Sequence, residues 1–246
     1  MKIIVNADDY GYTNGIVDAI VKGHQEGIIT STTVMCNVPD LEYALEKSHL
    51  CPDLGFGVHL TLTCGKPLTE AKSLVDENGN FLKYKEYFSK YVDPQEVENE
   101  FSAQIERFIE LFGFIPTHLD SHQGAHDGVT VLMNKDDNTL HNYDEIYAIA
   151  ISLAEKYSLP VRRSCEYKWI DSFYGEQATD DKLIEIFDEA AATNTSIEIM
   201  VHPGYCDQEL LDKSSYNVYR EQELLALCSS KVKEHIKSKG YQLVHF

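Results

Sequence analysis

Short apolar segments with strand character alternate with amphipathic helical segments along almost the whole of this 246-residue chain. Because parallel strands need a crossover segment between them, such alternation is typical of a parallel sheet covered by helices. The predicted strands are residues 3–9, 30–38, 55–62, 117–121, 160–163, 196–201 and 241–244. The predicted helices are residues 14–27, 83–91, 94–112, 143–157 and 179–192, with another starting at residue 39 and further helical segments over about 217–239.

The number of strands bears on the fold class. About seven strands with their crossover helices favour an α/β fold of the (β/α)-barrel type, and an open doubly wound sheet is the alternative. No linker, repeat or low-complexity segment divides the chain, so we predict a single domain over residues 1–246. The polar stretch from residue 123 to about 140 has no periodic pattern and is predicted to be a long loop.

Charge and cysteine usage exclude several classes of function. The chain has 40 acidic and 21 basic residues, a formal net charge of −19, so we expect neither nucleic acid nor an anionic membrane as a partner. We find no secretory signal pattern and no apolar window near the ~18 residues that a membrane span needs. The six cysteines form no Cys-x-x-Cys pair, which fits reduced thiols, and we expect a cytoplasmic protein.

Two adjacent carboxylates, Asp8 and Asp9, end the first predicted strand. Side chains alternate faces along a strand, so two neighbouring acids converge on one site only where the pleat breaks. We expect Gly11 to supply that break, because glycine adopts turn conformations at little cost. A solvated Asp-Asp turn is the simpler explanation of this segment alone.

Other titratable side chains recur at predicted strand ends. His59 lies in the third strand, and His202 follows the strand at 196–201. In the fourth strand, period-two alternation puts His118, Asp120 and His122 on one face. Such groups are costly to bury without partners, and a metal ion or a hydrogen-bonded network is the usual solution. In βα barrels the carboxyl ends of the strands carry the chemistry, so these residues are predicted to share one site.

One carboxylate and two histidines form a ligand set that leaves coordination positions open for water and substrate. An open metal site lowers the pKa of a bound water and polarises a carbonyl. A neighbouring carboxylate can take the proton from that water, and a further histidine can protonate a leaving group. The pattern therefore predicts metal-assisted hydrolysis of an amide or ester. The chain lacks a Gly-x-Ser-x-Gly elbow, a phosphate loop and a dinucleotide fingerprint.

Five segments together resemble the YdjC-like carbohydrate deacetylases, a family that includes the chitooligosaccharide (chitin disaccharide) deacetylases. They are residues 6–11 (Asn-Ala-Asp-Asp-Tyr-Gly), 57–60 (Gly-Val-His-Leu), 65–68 (Gly-Lys-Pro-Leu), 116–122 (Pro-Thr-His-Leu-Asp-Ser-His) and 201–203 (Val-His-Pro). The resemblance implies an irregular barrel related to that of the polysaccharide deacetylases. It also implies an enzyme that removes N-acetyl groups from small acetylated amino sugars or oligosaccharides. Another metal hydrolase on this scaffold (an amidohydrolase or phosphoesterase) and a non-catalytic sugar-binding relative are the alternatives.

The resemblance also implies individual roles. It makes Asp9, His59 and His122 the ligands of a divalent metal, Asp8 the general base and His202 the general acid for the departing amine. The residue pattern alone leaves open which aspartate holds the metal. The resemblance implies magnesium as the ion, and zinc is the alternative because histidine donors suit it.

Several residues are candidates for substrate contacts or for supporting the site. The possible substrate-site residues are Tyr10, His118, Asp120, His126, Trp169 and Tyr174. Packing explains the aromatic ones equally well. Either Arg162 or Arg163 is expected to hold Asp8 or Asp120, with a surface ion pair as the alternative. The stretch from Asp127 to about Asn142 is longer and more polar than the resemblance implies, which leaves the substrate's length and shape open. No residue pattern indicates an oligomeric state, and a homodimer is the working hypothesis.

Overall fold

The structure of the chain is a computed structural model that describes residues 1–83, 86–89, 91–126 and 143–246. The described strands are β1 (Lys2–Tyr10), β2 (Ser31–Val34), β3 (Gly55–Leu60), β4 (Leu119–Ser121), β5 (Lys168–Ile170), β6 (Ile197–Val201) and β7 (Gln242–Leu243). The helices are α1 (Asn14–Gln25), α2 (Glu42–Ser48), α3 (Pro94–Phe112), α4 (Tyr143–Tyr157), α5 (Asp180–Ala192), α6 (Gln208–Lys213), α7 (Val218–Leu227) and α8 (Ser230–Lys239). Three short 3₁₀ turns lie at Glu86–Ser89, His122–Gly124 and Gly175–Gln177. The predicted loop at 127–142 lies outside the described residues.

The chain clusters into two compact units. Unit 1 comprises residues 1–33, 41–56 and 162–246, and unit 2 comprises residues 34–40 and 57–161. Strand β2 is divided between them, with Val34 in unit 2. The single domain expected from the sequence stays a prediction.

Unit 1 is built on parallel pairing of β1 with β6. Ala7 lies opposite Val201 in this register, so the next residues along the two strands are Asp8 and His202. Strand β5 also pairs with β6, and β7 with β1, all in parallel. Every residue of β1 after Lys2 is buried, as expected for a parallel strand covered on both faces. Helix α1 begins where the Thr13 hydroxyl accepts a hydrogen bond from the Ile16 amide, which caps the helix.

Unit 2 contains the parallel pair β3–β4, in which His59 lies opposite Asp120. Helix α3 packs on α4. It begins at an Asp93 cap with Pro94 in its first turn and ends at Gly113, whose φ is +77°. Its buried stripe includes two polar residues, Glu100 and Gln104, beside Val97, Phe101 and Ile105.

Some predicted elements are placed differently. The strand predicted at 160–163 is an isolated bridge between Val161 and Leu119, because the chain turns at Arg163, whose φ is +68°. Strand β5 follows instead, with only three residues. The helical segments predicted over about 217–239 are α7 and α8, separated at Cys228 and Ser229, and α6 was not predicted. Within the described ranges, no helix combines the length and the apolar composition needed to cross a membrane.

Candidate active site

The carboxyl end of β1 presents Asp8 and Asp9, both buried. Asp9 has a φ of +69°, a left-handed conformation that aspartate tolerates better than most residues. This residue, rather than Gly11 alone, interrupts the alternation of side chains that a regular strand would impose. The pleat therefore breaks at the two acids themselves, two residues earlier than the break expected at Gly11. Because both side chains are buried, the solvated Asp-Asp turn is wrong.

Asp8 is held by a buried guanidinium. Arg162 donates from Nη1 to Oδ2 and from Nη2 to Oδ1 of Asp8, each at 2.8 Å, and from Nε to Oε1 of Glu198 at 2.6 Å. The Asn6 amide adds a third hydrogen bond to Asp8 at 3.0 Å. A bidentate pair of this kind fixes the plane of the carboxylate. Arg162 is thus the predicted arginine partner of Asp8, whereas Arg163 lies over the Trp169 ring at 4.6 Å.

Asp9 has a different basic partner, which sequence reasoning missed. Arg220 of α7 donates from Nη2 to Oδ2 of Asp9 at 2.7 Å and from Nε to the Tyr216 carbonyl at 2.8 Å. Its side chain is 4% exposed. Within the part of the chain that the structure describes, its Nη1 is buried and makes no hydrogen bond. A buried unpaired donor beside a carboxylate indicates a place for an oxygen atom of a ligand.

His202 lies beside Asp8 in unit 1. Its Nε2 is 3.9 Å from Oδ2 of Asp8, and its backbone amide donates to Oε2 of Glu223 at 2.5 Å. Tyr174 and Tyr216 each pack against the His202 ring, both with centroids 5.7 Å away and the rings near perpendicular. The imidazole is therefore oriented by its backbone and by two aromatic rings.

Glu223 is a second feature of α7 that the sequence did not reveal. It is fully buried, accepts from the His202 amide, and accepts from the Tyr216 hydroxyl. Burial raises the pKa of Glu223 from 4.5 to about 7. The carboxyl group thus joins Tyr216 to the segment that carries His202.

Unit 2 contributes a histidine pair. Nδ1 of His59 lies 2.7 Å from Oδ1 of Asp120, and the His122 ring meets the His59 ring edge-on with centroids 5.5 Å apart. A carboxylate at Nδ1 places the proton there and the lone pair on Nε2, the usual arrangement of a metal-binding histidine. His122 is the first residue of the 3₁₀ turn that follows β4, and its side chain is half-buried.

In unit 2, a side chain of helix α3 pairs with the backbone just after β3. The Gln104 amide accepts from the Thr61 N–H at 2.9 Å and donates to the Thr61 carbonyl at 2.8 Å, which mimics a strand partner. Thr61 lies two residues beyond His59. Glu100, one turn earlier in α3, accepts from the amides of Leu68 and Thr69 and from Gln104. The buried polar stripe of α3 therefore fixes the chain that follows His59.

Two histidines predicted near the site have structural partners. His118 precedes β4 and is fully buried, with Nδ1 2.9 Å from Oγ1 of Thr117. It packs on Gly57, where an added Cβ would lie 2.6 Å from the imidazole, so this position requires glycine. His126 is buried with Nδ1 2.5 Å from Oγ of Ser121. Neither arrangement supports the substrate contact predicted for these residues, because both rings are covered.

The three aromatic candidates are placed very differently. Tyr10 is fully buried, packs edge-on against Phe56 and donates to the Ala44 carbonyl, so its predicted substrate contact is wrong. Trp169 is half-buried beneath Arg163. Tyr174 is 46% exposed beside His202.

The residues predicted to hold a divalent metal are divided between the units, with Asp9 in unit 1 and His59 and His122 in unit 2. Their donor chemistry fits such an ion, since a carboxylate and two imidazoles, one of them backed by Asp120, are ordinary ligands. The neighbouring carboxylates are less suitable as ligands, because both oxygens of Asp8 accept from Arg162 and Asp120 is bound to Nδ1 of His59.

Comparison with known proteins shows which structures share this fold. A family 4 carbohydrate esterase from Streptomyces lividans shares the fold, with a TM-score of 0.53 at 12% identity over 98% of this chain and 91% of that one. A crystal structure from Enterococcus faecalis, of a protein whose proposed role is cellobiose-phosphate cleavage, superposes with a TM-score of 0.86. It is 31% identical and covers 99% of this chain and 97% of its own. The predicted α/β fold related to the polysaccharide deacetylases is confirmed.

The sequence comparisons are more specific. A carbohydrate deacetylase of Clostridium beijerinckii is 35% identical to this chain, covering all of it and 99% of the relative. The family model described as YdjC-like protein matches residues 2–238. The chain belongs to this family. The predicted family and the predicted enzyme class, carbohydrate deacetylase, are confirmed.

Proposed function

We propose that this protein is a metal-dependent hydrolase that removes N-acetyl groups from small acetylated amino sugars of the chitooligosaccharide type. The observation that carries the proposal is the pair of side chains at the carboxyl ends of β1 and β6, buried Asp8 and neighbouring His202. Asp8, oriented by Arg162, lies next to His202, which is partly exposed. Family membership makes an acetamide the bond on which such a pair would act.

The proposal assigns Asp9, His59 and His122 to a divalent metal. When bound, the ion would polarise the acetyl carbonyl and lower the pKa of a water. Asp9 is favoured over Asp8 as the ligand because Asp8 already has both oxygens in the Arg162 pair. Magnesium is the ion that the family resemblance implies, and zinc is the alternative that two histidine donors favour.

The protein's own groups carry the proton transfers. Asp8 takes a proton from the attacking water as its oxygen bonds to the acetyl carbon. His202 then gives a proton to the nitrogen as the C–N bond breaks, so that acetate and a free amine leave. Arg162 holds the plane of Asp8 throughout, and Glu223 holds the His202 backbone.

Acetate release tests this function. Oligomers of N-acetylglucosamine are incubated with the protein, in parallel with phosphate esters and cyclic amides. Chelation followed by add-back of magnesium or zinc, with metal analysis of the purified protein, identifies the ion. We expect acetate from the sugars alone, lost on chelation and restored by one ion. Turnover of phosphate esters or cyclic amides alone would indicate a different metal hydrolase, and sugar binding without acetate would indicate a non-catalytic relative.

The setting of the enzyme is part of the proposal. The six cysteines form no Cys-x-x-Cys pair in the sequence, which fits a reducing compartment, and we propose a cytoplasmic location. The homodimer stays a prediction, which sedimentation of the purified protein would check.

A further inference from the structure

We propose that Tyr174, stacked on Tyr216, is the surface on which a pyranose ring of the substrate packs. The proposal rests on the function proposed above and names a subsite for it. The Tyr174 and Tyr216 rings are nearly parallel, with an interplanar angle of 13° and centroids 4.1 Å apart. One face of Tyr174 is thereby covered, and the residue remains 46% exposed.

The backing of Tyr174 is rigid. The Tyr216 hydroxyl donates to buried Glu223 and accepts from the Gly175 amide at 2.8 Å. Gln222 of α7 donates to the Ala178 carbonyl at 3.0 Å, which fixes the turn that follows Tyr174. An aromatic ring whose neighbours are ordered in this way loses little conformational freedom when a ligand packs on it.

The exposure of Tyr174 needs an explanation. Tyr174 shows almost half its surface although it is stacked on Tyr216 and packs against His202. A pyranose ring with equatorial hydroxyls presents axial C–H bonds on its faces, and such a face complements an open aromatic ring. A sugar therefore fits Tyr174 better than a flat or strongly charged ligand does.

The position of Tyr174 connects it to the chemistry. Its ring is 5.7 Å from that of His202, whose Nε2 is 3.9 Å from Asp8. A sugar ring on Tyr174 would thus bring its substituents to the proposed acid.

The test compares Tyr174→Ala, Tyr174→Phe and Tyr174→Trp, with Tyr91→Ala, an exposed tyrosine of unit 2, as the matched control. KM and kcat are measured for acetate release from the N-acetylglucosamine disaccharide and for hydrolysis of an aryl acetate, which has no sugar ring. We expect Tyr174→Ala to raise KM for the disaccharide about tenfold. The Phe and Trp variants should stay within about threefold of the parent protein on the same scale. Metal content should not change in any variant, and KM for the aryl acetate should change much less than KM for the disaccharide.

Calorimetric binding of the disaccharide separates this subsite from the proposed function. Weaker binding to Tyr174→Ala supports the subsite even if the parent protein releases no acetate, a result that would overturn only the proposed function. An unchanged KM and unchanged binding in Tyr174→Ala would overturn the subsite. Equal losses on the sugar and the aryl acetate would also overturn it, because the residue would then act on the site as a whole.

Discussion

Arg162 reaches Asp8 through two parallel hydrogen bonds of 2.8 Å, and the same guanidinium turns its third nitrogen to Glu198. Two buried carboxylates thus share one cation. Removing Arg162 would leave the two carboxylates buried and unpaired. Replacing it with a cation of another shape would instead disturb the orientation of Asp8. Arg162 is therefore the residue at which the position of the proposed base can be altered without removing the base.

Arg162→Lys keeps the positive charge but loses the two parallel N–H donors that bind Asp8. We expect kcat for acetate release to fall about 100-fold, because a small displacement of Asp8 misplaces the attacking water. Metal content should be unchanged. Arg163→Lys, the neighbouring arginine that lies on Trp169, is the control and should retain activity. Equal effects of the two substitutions would contradict an orienting role for Arg162.

Asp8→Asn separates catalysis from metal binding. We expect this variant to keep its metal and lose turnover, since an amide cannot accept the proton. His59→Ala and His122→Ala should instead lose the metal. Both expectations are checked by measuring the metal content and the acetate release of the purified variants. Exposed His49→Ala is the control. A near-normal rate for Asp8→Asn would contradict the assignment of Asp8 as the general base.

His202→Ala should slow amide substrates more than activated esters. An amine leaves only with a proton, whereas the leaving group of an aryl ester departs as a stable anion. The ratio of kcat for the N-acetylglucosamine disaccharide to kcat for an aryl acetate is the measurement. Equal slowing on both substrates means that His202 is not the acid.

Glu223→Gln should change how stability depends on pH. Burial raises the pKa of Glu223 to about 7 in the folded protein, against 4.5 ordinarily. Between these values the unfolded chain ionises while the folded protein keeps the proton, so the wild type loses stability as pH rises and levels off above pH 7. Relative to Glu223→Gln, we expect a loss of about 3 kcal/mol across this range in denaturant titrations.

Exposed Glu189→Gln is the control for this titration and should follow the wild type at every pH. If the curves for Glu223→Gln and the wild type stay parallel from pH 4.5 to above 7, the carboxyl group is not protonated in the folded state.

Gln104→Leu should weaken metal binding from a distance. Loss of the paired hydrogen bonds to Thr61 frees the segment beyond His59, and supporting contacts of this kind change metal affinity about tenfold or more. Gln104→Glu, which keeps the acceptor, should bind metal more tightly than Gln104→Leu. Calorimetry with the metal ion measures both variants. Wild-type affinity in Gln104→Leu would show that the pairing only stabilises unit 2.

The sequence predicted those site residues that follow strands and missed those that do not. Asp8, His59 and His202 stand out because a titratable side chain after an apolar run is unusual. Arg220 and Glu223 lie on α7 among exposed polar residues. On such a helix the spacing of the residues does not show which charged side chains are buried and which are exposed to solvent. Arg162 and Arg163 are adjacent, so only the turn at Arg163 shows which one faces Asp8. Tyr10 follows the acids in sequence, yet its side chain enters the core of unit 1.

Unit 1 is assembled from three separate stretches of the chain, and this has a consequence for folding. The partner of Asp8 lies 154 residues later, and the partner of Asp9 lies 211 residues later. During synthesis the first strand has to wait for nearly the whole chain before its two acids can be paired. Contacts this distant in sequence form slowly. A protein truncated before β6 would therefore leave β1 without its β6 partner and Asp9 without Arg220, and aggregation of such fragments is the expected outcome.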